Sequence, residues 1–525
     1  MLSRLTSATL RGIDAMPIDV EVDVAPGLPG YHVVGMPTPS VREGSVRIRS
    51  ALESIGRDLP NKKVTVNLAP ADVPKPGAGF DLPIAIGVMI ADGIVTQESV
   101  EGLMVMGELG LDGTVRKVRG ALAAAMSARA RGLHAILLPR DSAAEAAVVE
   151  DLDVHAVGHI SEVEAALSGT APWPRTASSS RRRGRDLGLD LADVRGQIWA
   201  RRSIEVAVAG GHNVLLVGPP GIGKSMLARR IPTVLPSMSH EECLEVTKVY
   251  SALGLADGLI TERPFRAPHH TVSTAALLGG GMVPRPGEIS LAHHGVLFLD
   301  EIPEFQRSAL ESLRQPLEDR HVTIGRVHST VRLPASFLLV AAANPCPCGW
   351  SGSGLRECTC TRSLVDRYRS RLSGPLLDRI DLQIPVQPIA IHELRGQRPG
   401  ESSAEVRARV EEARARQAHR LAAFGLRTNA EMTPAATKET CGLDERGELA
   451  VAKVVAARPT MSARAVDRLI KVARTIADLR GVDRIDSVDI QEAAHHRALE
   501  RDPPRDPREI TGGACHESPA MHGAV

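Results

Sequence analysis

The chain has 525 residues, 43% of them apolar and 24% charged, with a formal net charge of +1 at pH 7. That length predicts several folded domains. The near balance of charge excludes a protein held to nucleic acid or membrane by bulk electrostatics, so any such contact must come from local patches.

Only six Phe, three Tyr and three Trp are present, so the cores are expected to be aliphatic. No apolar run approaches the roughly 20 residues of a membrane span, and the first residues lack the apolar stretch of a secretory signal. Of seven cysteines, four cluster between 346 and 360. These features predict a cytoplasmic protein with no membrane partner, whose grouped thiols serve a metal before disulfides.

Residues 1–170 alternate short strands with helices. Ile18 to Val24 has the period of a half-buried strand, and Gly27-Leu28-Pro29-Gly30 turns the chain. Ser40 to Gly56 reads as a helix closed by a glycine C-cap, and Val64 to Leu68 as a strand. Pro74 to Gly79 is a loop opening a helix through Ile84 and Met89. Gly107 to Gly113 predicts a hairpin, and Ala121 to Arg131 an alanine-rich helix. Pro-Lys-x-Gly ahead of a helix, then Gly-Glu-Leu-x-Leu-x-Gly-x-Val, resembles the proteolytic domain of Lon. The resemblance implies a serine nucleophile at position 79 and a lysine base at 122. Gly79 and Leu122 stand there instead, so the domain is expected to be a catalytically vacant scaffold.

Residues 171–186, rich in Pro, Ser and Arg, predict a linker. The ATPase core is expected over 187–385. Asp193 to Gln197 precedes its first helix and predicts the adenine pocket. Val214-Leu215-Leu216-Val217 reads as a buried strand, followed by Gly218-Pro219-Pro220-Gly221-Ile222-Gly223-Lys224-Ser225 and a helix. This fits Gly-x4-Gly-Lys-Ser, the phosphate loop. Its backbone N–H groups cradle phosphate at the helix N-terminus, Lys224 reaches the β- and γ-phosphates, and the Ser225 hydroxyl ligates Mg²⁺. The partner site is Gly295 to Glu301, a buried strand delivering Asp300 for Mg²⁺ and Glu301 as general base for the attacking water. Phe337 to Ala343 is a further buried strand, ending at Asn344, which is expected to orient the lytic water.

Four longer motifs then carry a family resemblance: Gly-Gly-His-Asn-Val-Leu-Leu-Val-Gly-Pro-Pro-Gly from Gly210, Phe-Arg-Ala-Pro-His-His from Phe265, Asn-Pro-Cys-Pro-Cys-Gly from Asn344 and Ser-Gly-Pro-Leu-Leu-Asp-Arg-Ile-Asp from Ser373. They resemble the ComM/YifB proteins, magnesium-chelatase-like AAA+ ATPases. The resemblance spans about residues 1–500. It implies an α/β fold: a Lon-protease-like domain, an AAA+ P-loop core and a C-terminal helical lid. It further implies Arg379 as the arginine finger donated to a neighbouring subunit and Arg464 as sensor 2. ComM is associated with natural transformation, as a hexameric ATP-driven branch-migration helicase, so the resemblance implies a homo-hexamer acting on DNA.

Pro268 to Gly281 matches the helix-2 insert of this clade. Val322 to Arg332 alternates like a hairpin, with Arg326, His328 and Arg332 placed to grip phosphates. Cys346, Cys348, Cys358 and Cys360 form two thiolate pairs across a Gly/Ser-rich loop and predict a structural Zn²⁺ knuckle. Residues 386–502 predict the lid, with helices at Ser402–Ala423, Ala450–Arg458, Ser462–Arg480 and Ser487–Arg501. Residues 503–525 predict a disordered tail. The reading is an ATP-driven DNA-remodelling ring. A metal-insertion ATPase and a protease-related chaperone are the alternatives, opposed by the Lon-like front and cysteine knuckle and by the vacant positions 79 and 122.

Overall fold

The computed structural model describes residues 1–174, 188–281, 284–326, 329–388, 400–458 and 461–497. The 503–525 tail, most of the 171–186 linker, His328 and the side chain of Arg326 lie outside the described residues. The chain divides into two compact units.

The first unit takes Met1–Gly188 with Ser237–Leu297 and Gln306–Phe337. Its strands are β1 (Leu2–Arg11), β2 (Asp14–Ala25), β3 (Gly30–Val34), β4 (Lys63–Ala69), β5 (Leu103–Val105), β6 (Ala135–Pro139) and β7 (Asp153–Val157). They form one mixed sheet in the order β3-β4-β2-β1-β5-β6-β7. Along β2 the residues Ile18, Val20, Val22 and Val24 are buried and the intervening acids are not, the alternation of a sheet covered on one face. Three helices matter here: α1 (Gly44–Ser54), α2 (Asp81–Ala91) and α3 (Ala121–Ala130). Every residue of α2 is buried. A β-carbon on Gly87 would stand 2.6 Å from the Val22 side chain, so glycine lets this helix lie close against β2. The expected helix from Ser40 is interrupted once, at Glu43, with a short helical segment Pro39–Arg42 ahead of α1, and Gly56 closes it with φ +72°. The expected hairpin forms between Glu108–Leu109 and Val115–Arg116. The second expected hairpin pairs His321–Arg326 with Ser329–Pro334. Both this hairpin and the helix His240–Leu253 fall in the first unit.

The second unit takes Leu189–Pro236, Phe298–Phe305 and Leu338 onward. It contains α4 (Ile198–Gly210), β8 (Val214–Val217), α5 (Lys224–Val234), β9 (Val296–Leu299, entering from the first unit), β10 (Leu338–Ala343) and β11 (Leu382–Pro385). The strands run in the order β9-β10-β8-β11, with β8 parallel to both β10 and β11. Their apolar runs are continuous because both faces are covered: all of β9 and β10 is buried. Helices α6 (Ser403–Leu421), α7 (Glu445–Ala456), α8 (Ala463–Arg480) and α9 (Ser487–His495) follow. Their starts are set by caps at Ser402, Asp444, Ser462 and Asp486. The Asp444 cap explains why α7 begins ahead of the expected Ala450.

Candidate active site

In a parallel sheet, ligands bind beyond the carboxyl ends of the strands. Strands β8, β9 and β10 end side by side there, delivering the phosphate loop, Asp300 and Asn344 to one edge. The loop closes into a nest because Gly221 and Gly223 take φ of +79° and +94°, which residues with a β-carbon resist. Gly218 has no room for a side chain, since a β-carbon would meet the Val386 carbonyl oxygen at 2.4 Å. Helix α5 starts at Lys224 and points its N-terminal N–H groups into the nest.

The Lys224 ammonium donates to the carbonyls of Gly218 at 2.6 Å and Pro219 at 2.8 Å, and to Asn344 Oδ1 at 3.0 Å. Burial lowers its pKa, and the pull of Asp300 and Glu301 offsets this only in part. Ser225 Oγ donates to Asp300 Oδ2 at 2.6 Å. A hydroxyl beside a carboxylate is the hard-oxygen donor set that Mg²⁺ takes. Glu301 is exposed, and its backbone holds φ +50° while its N–H donates to Asp300 Oδ1 at 3.0 Å. This non-glycine residue thus holds a left-handed backbone right beside the carboxylate that Ser225 reaches.

Lys224, Ser225, Asp300, Glu301 and Asn344 are thus brought together. The two arginines are placed elsewhere in the unit. Arg379 is 9% exposed, and its guanidinium donates to the Pro375 carbonyl at 2.7 Å. Arg464 is exposed in the first turn of α8. Arg332 pairs with His321 at 2.9 Å on the hairpin of the first unit.

The four cluster thiols lie within 4.8 Å of one another. Cys346 Sγ is 3.3 Å from Cys348 Sγ and 3.7 Å from Cys358 Sγ, and the last two are 3.6 Å apart. Zinc–thiolate bonds of about 2.3 Å in a tetrahedron put sulfurs about 3.8 Å apart, so the set fits that ion. Backbone N–H groups of Ser351 and Cys348 donate to Cys346 Sγ and Cys360 Sγ. The Trp350 N–H, above all, draws the Cys348 thiol down to about 5. The cysteine loop also touches the glycine-rich loop before α5: a β-carbon on Gly349 would stand 2.6 Å from Pro220 Cδ.

Tyr368, on the helix Arg362–Arg369, was not legible as a site residue. Its hydroxyl oxygen accepts from the Asn344 N–H, while burial, then Glu304, pushes its pKa up to about 12. As one of three tyrosines with no motif around it, it carried no signal.

In the first unit, Leu122 is fully buried on α3, which leaves a lysine base no place there without rebuilding the core. Glu245, His293 and His294 gather their ligand atoms within 4.8 Å. The Ser336 N–H donates to His293 Nδ1 at 3.1 Å, so the proton of the neutral ring sits on Nε2, which donates to Glu245. That is a hydrogen-bonded carboxylate, not a ligand set with lone pairs converging on a metal.

Three family models match the sequence: Magnesium chelatase, subunit ChlI over 190–394, Subunit ChlI of Mg-chelatase over 20–142, and Magnesium chelatase, subunit ChlI C-terminal over 400–497. The chain is similar to the uncharacterised protein YifB of Escherichia coli, 42% identical over 508 residues, covering 95% of this chain and 98% of that one. It is 39% identical to the competence protein ComM of Haemophilus influenzae over 508 residues, with the same coverage. A weaker likeness, 27% over 181 residues, covering 30% of this chain and 32% of the relative, links it to Lon protease 2 of Bacillus subtilis.

Proposed function

Because the chain belongs to the ComM/YifB family of magnesium-chelatase-like AAA+ ATPases, we propose that it is an ATP-driven ring motor that remodels DNA, a branch-migration helicase of recombination or natural transformation. The observation that carries the ATPase reading is the convergence of Lys224, Ser225, Asp300 and Asn344 within hydrogen-bonding distance at one sheet edge. ATP is the substrate. Gly218 to Ser225 hold its phosphates, and Lys224 exchanges its loop carbonyls for phosphate oxygens. Ser225 and Asp300 hold Mg²⁺, whose charge offsets that of the phosphates. Glu301 takes the proton of the attacking water, and Asn344 orients that water. Arg379 enters the neighbouring subunit's site and spreads transition-state charge over its fork, and Arg464 reads the nucleotide from the lid. The cysteine cluster holds a structural Zn²⁺, supported by its sulfur spacing.

The DNA part of the reading rests on the family resemblance and on the name of the competence relative. A metal-insertion motor is the second reading. The chelatase-named model over 20–142 favours it, because the front of the chain then no longer separates the two. Proteolysis has the buried Leu122 against it. ATPase measured with and without forked or four-way DNA decides, with Lys224→Ala and Glu301→Gln as inactive controls. DNA binding with stimulated turnover is expected. Neither binding nor stimulation sinks the DNA reading, and full activity in both controls sinks the ATPase site.

A further inference from the structure

We propose that Asn213 is a positioning residue that couples the arginine-finger turn to the chain's own nucleotide site; this rests on Arg379 acting as the finger. Asn213 stands immediately before β8, the strand that feeds the phosphate loop. Its Nδ2 donates to the Arg379 carbonyl at 2.9 Å. Its Oδ1 accepts from the N–H of Leu339 at 2.9 Å, at the start of the strand that ends in Asn344. Its own carbonyl accepts from the N–H groups of Asp381 at 3.1 Å and Leu382 at 3.0 Å. One side chain therefore fixes the finger residue's backbone and the water-orienting strand at the same time.

The neighbouring residue extends the link to the lid. His212 is fully buried, with Nδ1 3.2 Å from Asp381 Oδ2 and Nε2 2.8 Å from Thr475 Oγ1 on α8. Asp381 Oδ1 pairs with Arg468 at 3.2 Å, one helical turn beyond Arg464. Asn213 and His212 thus join the phosphate-loop strand, the Asn344 strand, the Arg379 turn and the Arg464 helix. In a ring, tilting the lid or moving β10 moves the turn that carries Arg379 into the next subunit. An amide is required at 213: aspartate accepts from Leu339 but has no proton for the Arg379 carbonyl, and alanine keeps neither bond.

The test measures ATPase kcat and KM on the full chain for Arg379→Ala, Asn213→Ala, Asn213→Asp and the double variant Asn213→Ala/Arg379→Ala. Melting temperature and binding of a fluorescent ATP analogue are followed in parallel. Expected are a roughly tenfold lower kcat in both Asn213 variants with KM within about twofold, and a double variant no slower than Arg379→Ala. Multiplying losses in the double variant, a raised KM at unchanged kcat, or wild-type kcat in Asn213→Asp would overturn the inference alone. Unchanged kcat in Arg379→Ala overturns the finger reading first and the inference with it. If Asn213→Ala does not fold, Asn213→Asp and Asn213→Asp/Arg379→Ala carry the test, with the same split between kcat and KM expected and the same results overturning it.

Discussion

Replacing Gly349 with alanine tests whether the cysteine loop shapes the phosphate loop. Gly349 has φ +86° and lies against Pro220, where a new β-carbon would stand 2.6 Å from Cδ. A left-handed backbone costs a residue with a β-carbon about 1–2 kcal/mol. The overlap adds about 1 kcal/mol, the low end for overpacking, because a proline ring cannot swing aside. Gly352 is the control: φ +70° in the same loop, with nothing among the described residues within 4 Å of its added β-carbon. Gly352→Ala suffers the backbone strain alone. The difference of about 1 kcal/mol falls on Pro220 and is expected to raise the KM for ATP about fivefold over the control. Steady-state ATPase at saturating Mg²⁺ measures it, with melting temperature separating lost fold from lost affinity. Indistinguishable KM values in the two variants would refute the coupling between the cysteine loop and the nucleotide site.

Glu145 is 1% exposed, and burial pushes its pKa up to about 7, with the Ser251 hydroxyl and then Lys117 pulling it back in part. A raised folded pKa means its contribution to stability is whole below about 4.5 and is lost as pH rises through about 7, a change of order 3 kcal/mol. Glu145→Gln should therefore flatten stability against pH across that window and raise the melting temperature at pH 8; an unchanged profile refutes it. Tyr368→Phe leaves the Asn344 N–H without its acceptor inside the protein and should lower kcat severalfold, for a cost of about 1–3 kcal/mol shared between fold and site. Wild-type kcat and melting temperature together would count against it. Elemental analysis should find one zinc per chain, and Cys358→Ser should lose it; a zinc-free wild type refutes the knuckle.

The gathering of Lys224, Ser225, Asp300 and Asn344 was legible in the sequence because the pattern that brings them together is local. Gly221, Gly223, Lys224 and Ser225 are consecutive enough that turn and helix geometry alone bring them into one nest. Asp300 and Asn344 announce themselves as polar residues ending apolar strands, since a buried strand can carry such groups only at its end. Helix limits were less legible: Asp444 caps α7 ahead of its apolar run, and Glu43 interrupts the helix expected from Ser40.

What the order of residues determined by itself was the set of chemical groups and the strand ends that present them. What only the tertiary structure decided was their company. Tyr368 on the Asn344 backbone, Gly349 against Pro220, and Asn213 between Arg379 and Leu339 are contacts between distant segments. The reason is physical. Periodicity and turn chemistry act over one or two turns of chain, whereas such a contact depends on how strands order in the sheet, and β10 comes to lie between β8 and β9 only through packing.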